Sequence, residues 1–288
     1  MKVDEWLAGF SGARSLPTKS KRVLDVIATQ PRLASYGTTS DIARTAGVNN
    51  ATVVRVAQAL GFDGWLTFRQ EIRSRYLASL SAPELADERA AGESELPAVN
   101  AIRQDTENLA LLSNRLDVEA VKQFAVTIAG ANRTTVIAAG SYGSVAMAFA
   151  HLATVMGYQV NAELRGGSHL ANALGQLDED SCLVTVALWR LHAEIMLAAR
   201  VAVDNGVTVC AITDTTTSPL ARIATHLIVV PSESGGWFPS LTASMSAVNA
   251  LLTTMERLDG RQPRNSIARM EKIWHDMNLY HDASDDAQ

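Results

Sequence analysis

TTSDIARTAGVNNATVVRVAQAL, residues 38–60, decides how this 288-residue chain is organised. Ser40 can cap a short helix whose Ile42, Ala43 and Ala46 turn inward. Gly47 permits the left-handed backbone of a tight turn, and Asn49 or Asn50 can cap a second helix. In that helix Val53, Val56, Ala57 and Leu60 fall at i, i+3, i+4 and i+7 and must pack inward, leaving Ala51, Arg55 and Gln58 outside. A short helix, a glycine turn and a polar-faced second helix are the parts of a helix-turn-helix, whose second helix enters the major groove of double-stranded DNA. Ser40, Asn49, Asn50, Thr52, Arg55 and Gln58 are therefore the candidate DNA-binding residues. Side chains on the first turns of such a helix reach base edges and phosphates, and its N-terminus itself favours an anion.

Charge agrees with this placement. Residues 1–80 hold 11 Lys and Arg against 6 acids, a net +5, so the overall −5 leaves −10 on the remainder. Polyanion contact belongs to the first part. A hydrophobic fraction of 47% with 19% charged residues is globular composition, and 288 residues are long for a single core. The two cysteines, Cys182 and Cys210, each sit in an apolar run and read as small buried hydrophobes in a reducing compartment. The first ten residues, MKVDEWLAGF, lack the basic flank and apolar stretch of a secretory signal, and no segment is apolar enough to span a bilayer; a cytoplasmic protein without membrane contact is expected. The histidines show no metal-like spacing, so neither a metal nor a cofactor is expected.

Outward from the helix-turn-helix, residues 1–80 read as an all-α domain. SAPELADERAAGESELPA, residues 81–98, is acidic and bracketed by Pro83 and Pro97, and reads as a linker with at most a helical turn. Residues 99–288 form the second domain. Two amphipathic helices come first, the second capped by Asp117. Short β-branched runs then alternate with helical stretches: 134–139, 159–164, 182–188, 208–213 and 226–230. This is the texture of an α/β doubly wound parallel sheet, closed by a helix over 241–258.

In such sheets ligands collect at the carboxyl ends of the strands. The run after the first strand, Gly140-Ser-Tyr-Gly-Ser144, puts hydroxyls and backbone N–H groups at a helix start, a ready anion site. The candidate effector-binding residues are Ser141, Tyr142 and Ser144 there, Trp189, Arg190 and His192 after the third strand, and Thr213 and Asp214 after the fourth. Arg190 could instead pair with Glu194, four residues on.

The segment DIARTAGVNNATVVRVAQALGFDGWLTFRQEI, residues 41–72, resembles the N-terminal domain of the RpiR family of sugar-responsive regulators. The likeness rests on the turn alanine and glycine, the Thr52-Val53-Val54-Arg55 run, and Leu60-Gly61-Phe62 with Gly64 and Phe68. The aromatic residues of that last stretch are expected in the core. Asn49 stands where family members usually carry serine. Residues 132–231 resemble the SIS domain, the sugar-phosphate-isomerase-like fold that forms the effector half of these regulators. There Tyr142 replaces a usual serine, and Ala187, Trp189, Arg190 and His192 replace the two serines, the glycine and the threonine of the phosphate-wrapping third loop. A guanidinium, an imidazole and a flat indole thus stand where a hydroxyl cradle would be.

The resemblance implies a non-enzymatic DNA-binding transcriptional regulator whose operator affinity is controlled by a small anionic metabolite, a sugar phosphate or sugar acid. It would act as a homodimer or a dimer of dimers. The alternatives are an isomerase, for which Glu163, His192 or Glu233 could serve as base, and a ligand-independent DNA-binding dimer.

Overall fold

The computed structural model describes residues 3–11, 16–90, 96–258 and 260–280. The chain divides into two compact units, one built on Met1–Pro97 and the other on Ala98–Ser234 and Phe238–Gln288.

The first unit is entirely helical among its described residues: α1 Val3–Ser11, α2 Thr18–Thr29, α3 Pro31–Tyr36, α4 Thr39–Ala46, α5 Asn50–Ala59, α6 Trp65–Ser79 and α7 Ala82–Ala90. Its core joins Val23 and Ile27 of α2, Ile42 of α4, Val53 and Val56 of α5, and Phe68 and Ile72 of α6. The aromatic residues after α5 close this core. The Phe62 and Phe68 rings lie 4.9 Å apart, and Trp6 from α1 packs on both. A buried ion pair, Arg75 to Glu71 at 2.8 Å, lies under Trp6, with the guanidinium 4.4 Å from the indole centroid. The segment read as a linker contains α7. Leu85 of this helix is buried, and the Glu88 carboxylate accepts hydrogen bonds from Arg32 Nε (2.8 Å) and the Tyr76 hydroxyl (3.1 Å). Residues 91–95 of that segment lie outside the described residues.

The second unit opens with α8 Pro97–Arg115 and α9 Val118–Gly130, the latter capped by Asp117, whose carboxylate accepts from the Ala120 N–H at 2.9 Å. Then β1 Arg133–Ala138, α10 Gly143–Val155, β2 Val160–Glu163, α11 Ser168–Leu174, β3 Ser181–Val186, α12 Ala193–Asp204, β4 Thr208–Thr213 and β5 His226–Val229 alternate. Helices α13 Thr242–Leu258 and α14 Arg261–Asp276 follow; α14 was not foreseen. All strand pairs are parallel, in the order β2-β1-β3-β4-β5.

Period-two alternation splits each central strand between two cores. Cys210 and Ile212 face Phe149 of α10, Phe124 of α9 and Leu251 of α13, whereas Val209 and Ala211 face Leu170 of α11 and Ile195 of α12. Burial on both faces is why these strands read as continuous apolar runs. The two cysteine thiols meet within the first core, Sγ to Sγ 3.7 Å, unbridged. The Cys182 thiol and burial together push the Cys210 thiol well above its ordinary value.

Phe149 is wholly buried between the sheet and α13. Phe149→Ala should lower the stability of the second unit by about 3–5 kcal/mol, read as a shift of its denaturant midpoint; a change within error would mean that this core collapses around the gap.

Candidate functional site

In the first unit the turn between α4 and α5 is built by caps at both ends. Thr38, rather than the expected Ser40, starts α4. Its hydroxyl accepts from the Asp41 N–H (3.2 Å) while the Asp41 carboxylate accepts from the Thr38 N–H (2.9 Å), a reciprocal box that the expectation missed because Asp stands in for Glu. Ser40 instead accepts from the Asn50 side-chain amide at 3.0 Å, tying the two helices together. Gly47 takes φ 61° as the turn requires. Asn49 is the cap of α5, its Oδ1 accepting from the Thr52 N–H (2.9 Å) and hydroxyl (2.8 Å).

That cap corrects the reading of Thr52. Its side chain is 9% exposed and bound to Asn49, so it holds the helix start instead of facing outward. The exposed residues on and beside the first turns of α5 include Ser40, Asn49, Asn50, Ala51, Arg55 and Gln58. Arg55 Nε donates to the Ala51 carbonyl at 3.2 Å. Sequence reasoning passed over Arg22. Its guanidinium lies beside Gly47, so α2 contributes a cation at the turn; only the local charge excess hinted at it.

In the second unit β1 pairs with β2 on one side and β3 on the other, and their following helices α10 and α12 cover opposite faces. The loops after β1 and β3 therefore part at a topological switch point, the crevice where open α/β sheets bind ligands. Ser141 is exposed in the 3-10 turn Gly140–Tyr142, and the Ser144 hydroxyl donates to its carbonyl at 2.8 Å. Tyr142 is a correction. It is buried in the apolar core with Val145 and Phe149.

After β3, Ala187 and Leu188 are buried on opposite faces, and the chain then turns at Trp189 with φ 56°, a left-handed backbone that costs a bulky residue about 1–2 kcal/mol. Strain of this kind collects at functional sites. The Arg190 guanidinium lies 4.6 Å from the Trp189 ring centroid, and exposed His192 caps α12 without a side-chain hydrogen bond to it. Thr213 is buried at the end of β4, and half-buried Asp214 follows it.

Two further groups at this end of the sheet escaped the list of candidates. Arg165 grips Glu163, at the end of β2, through Nε (2.9 Å) and a terminal nitrogen (2.7 Å). The Glu194 carboxylate, in the first turn of α12, accepts from the Gly167 N–H, and a side chain at Gly166 would run into it. Glu194 thus ties the loop after β2 to α12. Among the described residues no group of three or more His, Cys, Asp or Glu could hold a metal ion, and no helix is long and apolar enough to cross a membrane.

Two family models match the chain: a helix-turn-helix domain of the rpiR family over residues 11–79 and a SIS domain over residues 127–254. An HTH-type transcriptional regulator of Haemophilus influenzae is 26% identical over 229 residues, covering 77% of this chain and 78% of the relative. The HTH-type regulator YfhH of Escherichia coli is 24% identical over 240 residues, covering 82% and 84%. Among solved structures, the sugar isomerase domain of an RpiR transcription factor from Sphaerobacter thermophilus aligns with a TM-score of 0.60 at 26% identity, covering 62% of this chain and 99% of that one. The NanR protein of Vibrio vulnificus, complexed with ManNAc-6P, aligns over 98% of this chain and 100% of its own, with a TM-score of 0.59 and 17% identity.

The hydrogen bonds from Arg165 hold the Glu163 carboxyl down at about 2, below its usual 4.5. Stabilisation from a depressed carboxyl is complete above the ordinary value and is lost as pH falls through the folded one. Glu163→Gln should therefore flatten the fall in stability of the second unit between pH 4.5 and about 2; unfolding curves of equal slope for the two proteins would show that the pair adds nothing.

Proposed function

The chain belongs to the RpiR family of helix-turn-helix transcriptional regulators that carry a SIS domain, and from that premise we propose that a small anionic metabolite, bound in the crevice between β1 and β3, sets its affinity for operator DNA. The observation that carries this reading is the third-strand loop. Arg190, stacked on a strained Trp189 and followed by exposed His192, comes after β3, and exposed Ser141 comes after β1, the two strands that flank the switch point. A guanidinium receives a carboxylate or a phosphate in two parallel hydrogen bonds, and the indole offers a flat wall to a sugar ring. The ManNAc-6P bound by the Vibrio vulnificus NanR protein supports a sugar phosphate as the class. The missing hydroxyl cradle makes a sugar acid an equal fit.

On the DNA side, Asn50, Ala51, Arg55 and Gln58 face the major groove and Arg22 meets a phosphate. Two copies would read half-sites roughly 34–36 Å apart, the spacing of one turn of DNA. Effector binding that favours one placement of the two reading heads by about 1–3 kcal/mol would change operator affinity roughly 5- to 150-fold. An isomerase is the weaker reading. Curated relatives over four-fifths of the chain are named as regulators, and Glu163, one of the bases an enzyme could use, is held far too acidic to take a proton near neutral pH.

The test is a thermal-shift screen of sugar phosphates, sugar acids and small carboxylates that begins with ManNAc-6P. A ligand at about 100 times its Kd adds about 2.7 kcal/mol to native stability. Calorimetry on the strongest hit should show Arg190→Ala weakening it by about 2 kcal/mol or more; unchanged affinity would remove the ligand from this loop. Turnover of a bound sugar phosphate would instead favour the enzyme.

Arg55→Ala should cost operator affinity about 1–3 kcal/mol if the guanidinium reads a base. In that case sequence discrimination falls as well. A uniform loss across sequences with a shallower salt dependence would mark a phosphate contact instead.

A further inference from the structure

The side chains at the start of α5 differ in what they have left to offer a base. Asn49 Oδ1 is taken by the cap, accepting from both the N–H and the hydroxyl of Thr52, and Thr52 itself is buried. Arg55 Nε donates to the Ala51 carbonyl, and its two terminal nitrogens are donors only. Gln58 follows Asn50 by eight residues, about 12 Å further along the helix axis. Asn50 is the first residue of α5 and is exposed. Its Nδ2 donates across the turn to Ser40 Oγ at 3.0 Å.

That bond sets the orientation of the amide as well as the spacing of the helices. With Nδ2 turned toward α4, Asn50 presents Oδ1 outward together with the second N–H of the same nitrogen. The surroundings of Ser40 favour the same orientation. Ser40 lies in the first turn of α4, where backbone N–H groups attract a phosphate, and a phosphate oxygen only accepts hydrogen bonds. A hydroxyl that donates to phosphate has only lone pairs left for Asn50, so the amide must meet it with an N–H. An acceptor beside a donor on one rigid plane matches adenine, whose N6 amino group stands next to N7 in the major groove. Guanine shows two acceptors there, thymine an acceptor and a methyl group, and cytosine an amino donor, so each leaves part of the pair unmet. Because Ser40 holds the amide before DNA arrives, the contact loses less side-chain freedom than an unanchored asparagine would.

We propose that Asn50 is the specificity-determining residue of α5, reading one adenine through Oδ1 and Nδ2, and that Ser40 is its positioning residue, joining that base to a phosphate contact. This rests on the DNA-binding reading above and is independent of the effector.

The test selects preferred duplexes for the full chain from a randomised library, then measures affinities by fluorescence anisotropy with each base pair exchanged in turn. The wild type should show an adenine whose replacement costs about tenfold or more. At that position 7-deazaadenine, which lacks N7, and purine, which lacks the N6 amino group, should each cost about threefold or more. Asn50→Ala should abolish discrimination there and leave it intact at the other positions. Ser40→Ala retains Asn50 but frees its amide. It should lower the preference for adenine over guanine at the same position by about threefold or more, beyond the uniform loss across all sequences that a missing phosphate contact gives. A guanine preferred at the position that Asn50→Ala affects, discrimination that survives Asn50→Ala at every position, or a ratio unchanged by Ser40→Ala would each overturn the proposal. Binding to unrelated duplex at low salt, retained by both variants, shows that they are folded. A wild type that selects no sequence removes this inference together with the DNA-binding reading; a selected sequence indifferent to Asn50 removes this inference only.

Discussion

Parallel pairing of β1 with β2 on one side and β3 on the other is the constraint on which the second unit turns. A strand so paired cannot return directly to either neighbour; the chain must cross a face of the sheet through a helix. With α10 on one face and α12 on the other, the two connections diverge at the carboxyl ends of β1 and β3. The crevice is thus a by-product of topology, and what it recognises depends on the few residues at its rim. In this chain Trp189, Arg190 and His192 follow β3, while the strands beneath are apolar and buried. The framework and the chemistry are separable, which is why one fold supports regulators and isomerases alike.

The sequence made most of this framework legible because its signals are periodic. The five strands lie within two residues of their expected positions, Asp117 caps the helix it was read to cap, and of Asn49 and Asn50 it is Asn49 that caps α5. What escaped was set by choices among equivalent residues or by tertiary packing. Thr38 and Ser40 are both competent caps, and only the reciprocal bond with Asp41 selects between them. Tyr142 stands in a loop rich in glycine and serine, yet its ring is drawn into the core behind α10. Thr52 lies at the groove-facing end of α5 but is claimed by the Asn49 cap. Helix α14 was missed because it packs little of its surface: of its 16 residues only Pro263 and Ser266 are buried, so its pattern resembled an irregular tail.

The rim residues themselves could be named from spacing, but their arrangement could not. Nothing in the order Trp-Arg-Leu-His fixes which residue takes the left-handed turn, and it is Trp189 that does. Arg165 was invisible for a related reason, and Glu194 was read only as a pairing option for Arg190. Each acts on a partner brought near by the sheet or by helix packing, Glu163 in one case and the Gly167 amide in the other. Short-range spacing reports side chains on one element; it is silent about a carboxylate that reaches between the starts of two helices.

The cysteine pair has a use that its chemistry conceals. Cys182 and Cys210 sit on the two central strands with no exposed surface, their sulfur atoms in contact. A thiol reagent can reach them only when the sheet itself opens, so the rate of labelling counts openings of the second unit in a chain that needs no engineered reporter. Any ligand that stabilises this unit against opening would slow that clock.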